Sequence, residues 1–343
     1  MAKILKKLAQ RNETYIALAV LLISFVIQMR SGQFYTPNNL VDIASALIVP
    51  GLFALGAFMV LVSGGIDVSF PALASLSIFS TTKILLDSNY QGGIWLPILL
   101  CIVFGAVLGA VNGALISFFK LNAMIVTLGT SSIFKGFMQG ALNSKQLAVI
   151  PVGMAEFGKA SLFTAANAQS GLTSRMPTAM LVLVAVLLLC WFVLRYTMYG
   201  RGLYAIGGNE VSAHRAGFNV KLIKFLLYVA VGVIASLAGL IRVCMMSQCH
   251  PTNMLGMEMM IIAGVVLGGT AITGGAGSLS GCMLGTVLIV MVQNSLILMG
   301  IPTFWQDFAL GLLIIVGTGV SAWQVARAGR KSHGKNAIRE AVK

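Results

Sequence analysis

Long uninterrupted apolar runs restrict this chain to one class of fold. Tyr15 to Met29 is the first such run, and comparable stretches recur along the sequence. A run of roughly 18 or more apolar residues is long enough to cross a bilayer as a helix. Lipid offers the backbone no hydrogen-bond partner, so a span must be a helix or part of a closed barrel. The runs are continuous rather than alternating, which selects helices. Composition supports this, with 58% hydrophobic and only 9% charged residues and a mean hydropathy of +0.92. Soluble domains carry roughly 25% charged residues, and this chain lacks the material for a charged shell. We therefore expect an all-α polytopic membrane protein with about ten transmembrane helices. They fall near 14–30, 43–63, 66–86, 94–119, 123–142, 177–195, 222–247, 258–273, 277–299 and 303–326. The first run has no cleavage pattern behind it and reads as a retained span. The whole of 1–343 is expected to be a single transmembrane domain, with the loop 196–221 inside it.

The formal charge of +14 is no sign of nucleic-acid binding, because of where the cations lie. Lys3, Lys6, Lys7 and Arg11 precede the first run, and Arg327, Arg330, Lys331, Lys335, Arg339 and Lys343 follow the last. Arg195, Arg201, Arg215, Lys221 and Lys224 gather in one central loop. With ten spans and the N-terminus inside, sixteen Lys and Arg fall in inside segments and four in outside loops. That split is the positive-inside pattern, and it predicts cytoplasmic termini. Anionic membrane lipid is a secondary partner of the same charge.

No reactive constellation stands out. Cys101, Cys190, Cys244, Cys249 and Cys282 are scattered, without CxxC spacing, and His214, His250 and His333 are dispersed. Gly153 to Ala160 approaches a phosphate-loop pattern, but Ala160 stands where Ser or Thr would bind magnesium. Neither a metal, a cofactor nor an enzyme activity is expected on this chain.

Gly105, Gly109 and Gly113 form GxxxGxxxG, as do Gly277, Gly281 and Gly285. Val62-Ser63-Gly64-Gly65 echoes Val266-Leu267-Gly268-Gly269. The pattern reads as a weak two-fold repeat of spans 2–5 and 7–10, with small residues allowing close helix packing. Polar groups within or beside spans are candidates for a solute path. These are Asp67, Asn112, Thr127, Gln293, Asn294 and Glu258. A neutral polyol needs amides and hydroxyls without a strong fixed charge; the alternative is plain interhelical hydrogen bonding. Asp67 or Ser69 can also cap the following helix, and Glu258 suits the first turn of its own.

The loop 196–221 carries the strongest signal. Asn209 is placed to cap a helix and Gly217 to stop one, with small residues between. The result is a short helix suited to docking on a partner protein.

Several segments together resemble the permease subunits of ATP-binding-cassette sugar importers of the ribose/xylose/galactose class, which includes autoinducer-2 importers. They are Gly64 to Ser69, Asn112-Gly113, Ile125 to Thr130, Gly200-Arg201, Tyr204 to Asn209, Gly256 to Glu258 and Val265 to Thr270. They occur in the family's order along nearly the whole chain. Phe70-Pro71 and Ala123 depart from the usual pattern, as do Cys249-His250-Pro251 and the methionines near Met254 to Met260. The resemblance implies import by alternating access, with ATP and magnesium bound by a separate cytoplasmic ATPase. It also implies a periplasmic sugar-binding protein and a second permease copy or paralogue. Gly200, Arg201, Gly207, Asn209, Glu210, Ala213, Ala216 and Gly217 become the ATPase-coupling residues. An ion-coupled carrier of a small polar solute, or a permease of a related amino-acid importer, is the alternative.

Overall fold

The computed structural model describes residues 12–143, 145–167 and 171–302, with isolated helical positions between 305 and 319. Helices dominate, as the apolar runs require. In chain order they are α1 (Asn12–Ser31), α2 (Pro37–Val62), α3 (Phe70–Asp87), α4 (Trp95–Ser117) and α5 (Ala123–Gly140). A short α6 (Val152–Lys159) and the strands β1 (Ser161–Ala166) and β2 (Thr173–Pro177) follow. The chain continues through α7 (Ala179–Tyr196), α8 (Met198–Gly208), α9 (Glu210–Arg215), α10 (Val220–Met246), α11 (Met257–Leu267) and α12 (Leu279–Leu298).

Six of these, α1, α2, α4, α7, α10 and α12, are long and apolar enough to span a membrane. Three more expected spans coincide with α3, α5 and the shorter α11. The tenth, 303–326, lies outside the described residues apart from those isolated positions.

α2 is apolar on every face and sits at the centre. Its whole inner stretch, Ile48 to Val62, is buried, which is how an all-round hydrophobic helix must be placed. Of its span-length window 83% is buried, against 11% for α1 and 22% for α7. The exposed surfaces of α1 and α7 are themselves leucines and aromatics such as Leu21, Phe25, Leu188 and Phe192. Apolar residues exposed over whole spans fit a surface solvated by acyl chains.

Small residues set the closest helix contacts. A side chain at Gly105 would lie 2.5 Å from the Gly232 carbonyl, and one at Gly109 would overlap the Tyr228 carbonyl. These two bring α4 against α10. Gly281 and Gly285 meet the carbonyls of Gly268 and Gly264 in the same way, bringing α12 against α11. Gly277 lies in the connection before α12, not within it.

The echo of two Gly-Gly breaks reappears in backbone geometry, displaced by one residue from the sequence match. α2 closes with Gly64 N–H donating to Leu61 O and Gly65 N–H to Val60 O. α11 closes with Gly269 N–H to Val266 O and Thr270 N–H to Val265 O. Both are the two-bond C-terminal closure that needs a left-handed residue, and Gly64 and Gly269 supply it at φ of 83° and 85°. The breaks lie in different places: one separates α2 from α3, the other α11 from α12.

The segment 143–176 has no strong periodicity, yet its described residues are ordered into regular elements. It folds as α6 and an antiparallel β1–β2 hairpin. α6 packs on the end of α10, where Gly158 lets the backbone approach Cys244 O closely. An isolated bridge joins Leu147 to Cys249. These elements are too short for periodicity to reveal, and tertiary contacts hold them.

Candidate functional site

The arm between α7 and α10 is the most elaborate connection on its end of the bundle. Thr197 leaves α7 in an extended conformation, and its Oγ1 accepts from Gly200 N–H at 3.1 Å, capping α8. A side chain at Gly200 would stand 2.5 Å from Leu194 Cα, so this tight turn requires glycine. α8 is a full helix where the sequence reading had only loop. Arg201 is exposed on it.

Asn209 ends α8 and caps α9, its Oδ1 accepting from Ser212 N–H at 2.8 Å. Phe218 N–H returns to Ala213 O and Gly217 N–H to His214 O, with Gly217 at φ 91°. Both ends expected from the sequence are therefore in place. Glu210 lies in the first turn, and His214 and Arg215 in the last, in keeping with the helix dipole. Glu210 pairs with Lys224 at 2.6 Å. Only Ala213 of α9 is buried, while Val211, His214 and Arg215 face outward and Ala216 follows exposed at the C-cap. A short helix with Ala213 inward and a mixed, exposed outer face forms a surface knob.

The base of the arm meets the bundle through very close backbone contacts, beside the buried side chains of Leu203 and Ile206. Three Gly-Gly pairs from distant parts of the chain meet here: Gly64-Gly65, Gly207-Gly208 and Gly274-Gly275. A side chain at Gly207 would overlap Val62 O and lie 2.5 Å from Gly275 N. One at Gly274 would lie 2.6 Å from Gly64 Cα, and one at Gly275 would lie 2.7 Å from Gly208 Cα. Gly275 N–H donates to Val62 O at 2.9 Å, satisfying a carbonyl that the end of α2 leaves without a helical partner. Nearby, Tyr204 Oη donates to Gly277 O at 3.2 Å. Burial raises the Tyr204 pKa above the usual phenol value, so this donor keeps its proton.

The loop from Gly64 to Ser69 leads from this knot to a buried polar network. Asp67 Oδ1 accepts from both Ser69 N–H and Ser69 Oγ at 2.7 Å. Asn112 Nδ2 donates to Ser69 Oγ at 2.8 Å. Thr127 Oγ1 accepts from Val68 N–H at 3.2 Å and lies 3.4 Å from Ile66 O. Asp67, Asn112 and Thr127 are 4%, 1% and 0% exposed. They brace the α2–α3 break rather than face open space. The expected helix cap is not made: Ser69 occupies the cap position, but its hydroxyl bonds Asp67 and Asn112 rather than a backbone N–H of α3.

The remaining path candidates lie toward the opposite end. Glu258 Oε2 accepts from Gly256 N–H at 2.9 Å, in the first turn of α11 as expected. Gln293 Nε2 approaches Met260 Sδ at 3.0 Å, and Asn294 Nδ2 donates to Asn39 Oδ1 at 3.4 Å. The six thus separate into a buried inner group and a half-buried outer group. Ser69 and Tyr204 were not singled out from the sequence as site residues, although both sit inside quoted motifs. The repeated Gly-Gly dipeptide was the available signal for the knot.

Among the described residues no cluster of His, Cys, Asp and Glu could hold a metal ion, and all five cysteines are free and buried.

Comparison with known proteins gives a consistent result. Residues 39–317 match the family described as branched-chain amino acid transport system / permease component. The ribose import permease protein RbsC of Escherichia coli K12 is 30% identical over 299 residues, covering 87% of this chain and 90% of the relative. Its counterpart in Haemophilus influenzae is 29% identical, covering 89% and 91%. The autoinducer 2 import system permease protein LsrC of Photorhabdus luminescens is 28% identical, covering 90% and 89%. No solved structure matches the chain. The helical bundle, its lipid-type surface and these near full-length similarities agree, and the chain belongs to the branched-chain amino acid transport system / permease component family of membrane permeases.

Proposed function

We propose that this chain is the membrane-spanning permease of an ATP-driven importer for a sugar or sugar-like solute, with α9 as the point where a cytoplasmic ATPase pushes and pulls. The carrying observation is the glycine knot. A displacement of α9 passes through α8 to backbone in direct contact with the end of α2 and with the α11–α12 connection. Backbone on backbone has no side-chain freedom to absorb the motion, so those two helix ends move with the arm.

In this reading 1–343 is one permease unit, and 196–221 is its coupling loop. Gly200 and Gly217 shape the turns, Asn209 fixes the start of α9, and Gly207 anchors the base. Arg201, Glu210 and Ala216 present the surrounding surface, and Ala213 seats the helix. Asp67, Ser69, Asn112 and Thr127 hold the inner gate together, and Gln293, Asn294 and Glu258 lie nearer the solute's entry. The two termini and the arm face the cytoplasm of the inner membrane, as the charge split requires. ATP and magnesium sit on the partner, a periplasmic binding protein delivers the solute, and a second permease copy or paralogue completes the path. The named relatives point to ribose or autoinducer-2 as the first solutes to try.

An ion-coupled carrier is less well supported. It needs a mid-membrane acid free to exchange a cation, whereas Asp67 is buried against Ser69 and Glu258 is bonded at its own helix start.

The test is reconstitution in proteoliposomes with a candidate cytoplasmic ATPase and periplasmic sugar-binding protein from the same organism. ATP hydrolysis and ribose uptake should both rise when the binding protein is added. Replacing Asn209 to Gly217 with a flexible linker should abolish uptake while leaving the permease folded. Uptake that survives this replacement, or that collapses with a protonophore at constant ATP, overturns the proposal.

A further inference from the structure

A cavity of about 830 Å³ opens at the base of the arm, between the α4–α5 turn, α9 and the start of α10. Lys120, Lys221 and Lys224 line it, with Glu210 as its only acidic wall residue. Glu210 is held by Lys224 at 2.6 Å. Lys120 and Lys221 therefore carry charge that no acid balances among the described residues. Ser117 lies on the same wall, 3% exposed, and its hydroxyl has no protein partner among the described residues.

Next to it lie two exposed aromatics: Phe118 and Phe119, immediately before Lys120, are 52% and 70% exposed. Phe118 packs on Phe225 of α10 with ring centroids 5.5 Å apart. A basic hollow with exposed aromatic side chains beside it matches a molecule with an anionic head and hydrocarbon tails. Basic pockets between helices at the inner face of a membrane are suited to anionic phospholipid headgroups.

We propose that this cavity binds the phosphate headgroup of an anionic phospholipid, with its acyl chains against Phe118 and Phe119. Lys120 and Lys221 contact the phosphate. The lipid then sits beside Asn209 and Glu210, so its presence steadies the arm. The inference rests on the arm lying at the cytoplasmic face.

The test uses the full chain, delipidated in a non-ionic detergent, and native mass spectrometry with added lipid. Dioleoyl-phosphatidylglycerol should be retained at least about ten-fold more strongly than the phosphatidylcholine of the same chains, on a scale of roughly one kcal/mol per lysine. The double variant K120Q/K221Q should lose that preference, and K120R/K221R should keep it. An unchanged melting temperature of lipid-free K120Q/K221Q shows that the loss is not unfolding. Equal retention of the two lipids, or a preference that survives K120Q/K221Q, overturns the proposal. Displacement of phosphatidylglycerol by equimolar inorganic phosphate would make this a free-phosphate site and overturn it as well. Orientation is read separately. In R215C, a membrane-impermeant maleimide should label only inverted vesicles. Labelling of intact cells would refute the orientation and leave the lipid measurement standing.

Discussion

The two ends of this bundle are held together by different balances of contact. At the arm end, loops from three parts of the chain meet through glycine backbone, with contacts too close for any side chain. At the other end Gly158 on Cys244 O and Gly153 on Gly92 O are similarly close, but each joins only two segments, and side-chain bonds and a backbone bridge link the loops around them. Gln146 Nε2 donates to Gln248 Oε1 at 2.7 Å, Arg242 Nε to Asn253 Oδ1 at 2.8 Å, and Lys83 Nζ to Leu142 O at 3.3 Å. The first kind of joint transmits displacement and tolerates no added atom. The second can lose a bond and rearrange. A permease driven from one end and loaded from the other has use for both.

The sharpest way to break this comparison is Gly207→Val. Its added carbons have no room beside Val62 O and Gly275 N, and we expect loss of uptake with a fall in stability of at least about 1–3 kcal/mol. Thermal unfolding and uptake in proteoliposomes measure the two effects. Gly208→Ala is the paired control. No atom lies within 4 Å of its added carbon, so uptake and stability should stay at wild-type levels. If Gly208→Ala proved as damaging as Gly207→Val, the knot would not be what matters.

Asn209→Ala comes next. Loss of the bond to Ser212 N–H should weaken α9 by about 1 kcal/mol. We expect partial uncoupling, with ATP hydrolysis retained and uptake reduced several-fold. At the other end, Gln146→Ala removes an exposed side-chain bond with a net value of roughly 0.5–1.5 kcal/mol at most. Uptake should be nearly unchanged. Glu210→Gln should have the smallest effect on stability, because the pair with Lys224 is exposed and such pairs contribute about 0–1 kcal/mol.

Cysteine labelling sharpens the same contrast. All five native thiols are buried, and burial pushes Cys249, in the connection after α10, up to about 12. A raised value keeps this thiol protonated through the usual labelling range, so an impermeant maleimide at pH 8 should leave the wild-type protein unmodified. Single cysteines introduced at Arg215 and Arg175 can then report each end against a silent background. Modification of wild type within minutes would refute the burial.

Much of this was legible from the residues. Continuous apolar runs located nine of the described helices because lipid-length hydrophobicity is a local property. Asn209 and Gly217 bracketed α9 because capping chemistry acts over three or four residues. α8 and the outer hairpin were not legible. Each is short and weakly periodic, and each is held by contacts to distant segments, such as Tyr204 to Gly277 and α6 to α10. Asp67 shows the same limit. Its sequence neighbours suggested a helix cap, but Asn112, from another helix, completes a network in which the acid serves Ser69.

The sequence by itself determined that this chain is a bundle of membrane-crossing helices with a capped knob on its most basic loop. Hydropathy, charge asymmetry and caps are written within single segments, so no folding is needed to read them. The tertiary structure alone decided that Gly64, Gly207 and Gly274 meet. Contact among residues 67 to 210 positions apart depends on how the helices pack, and helix packing is a property of the whole bundle.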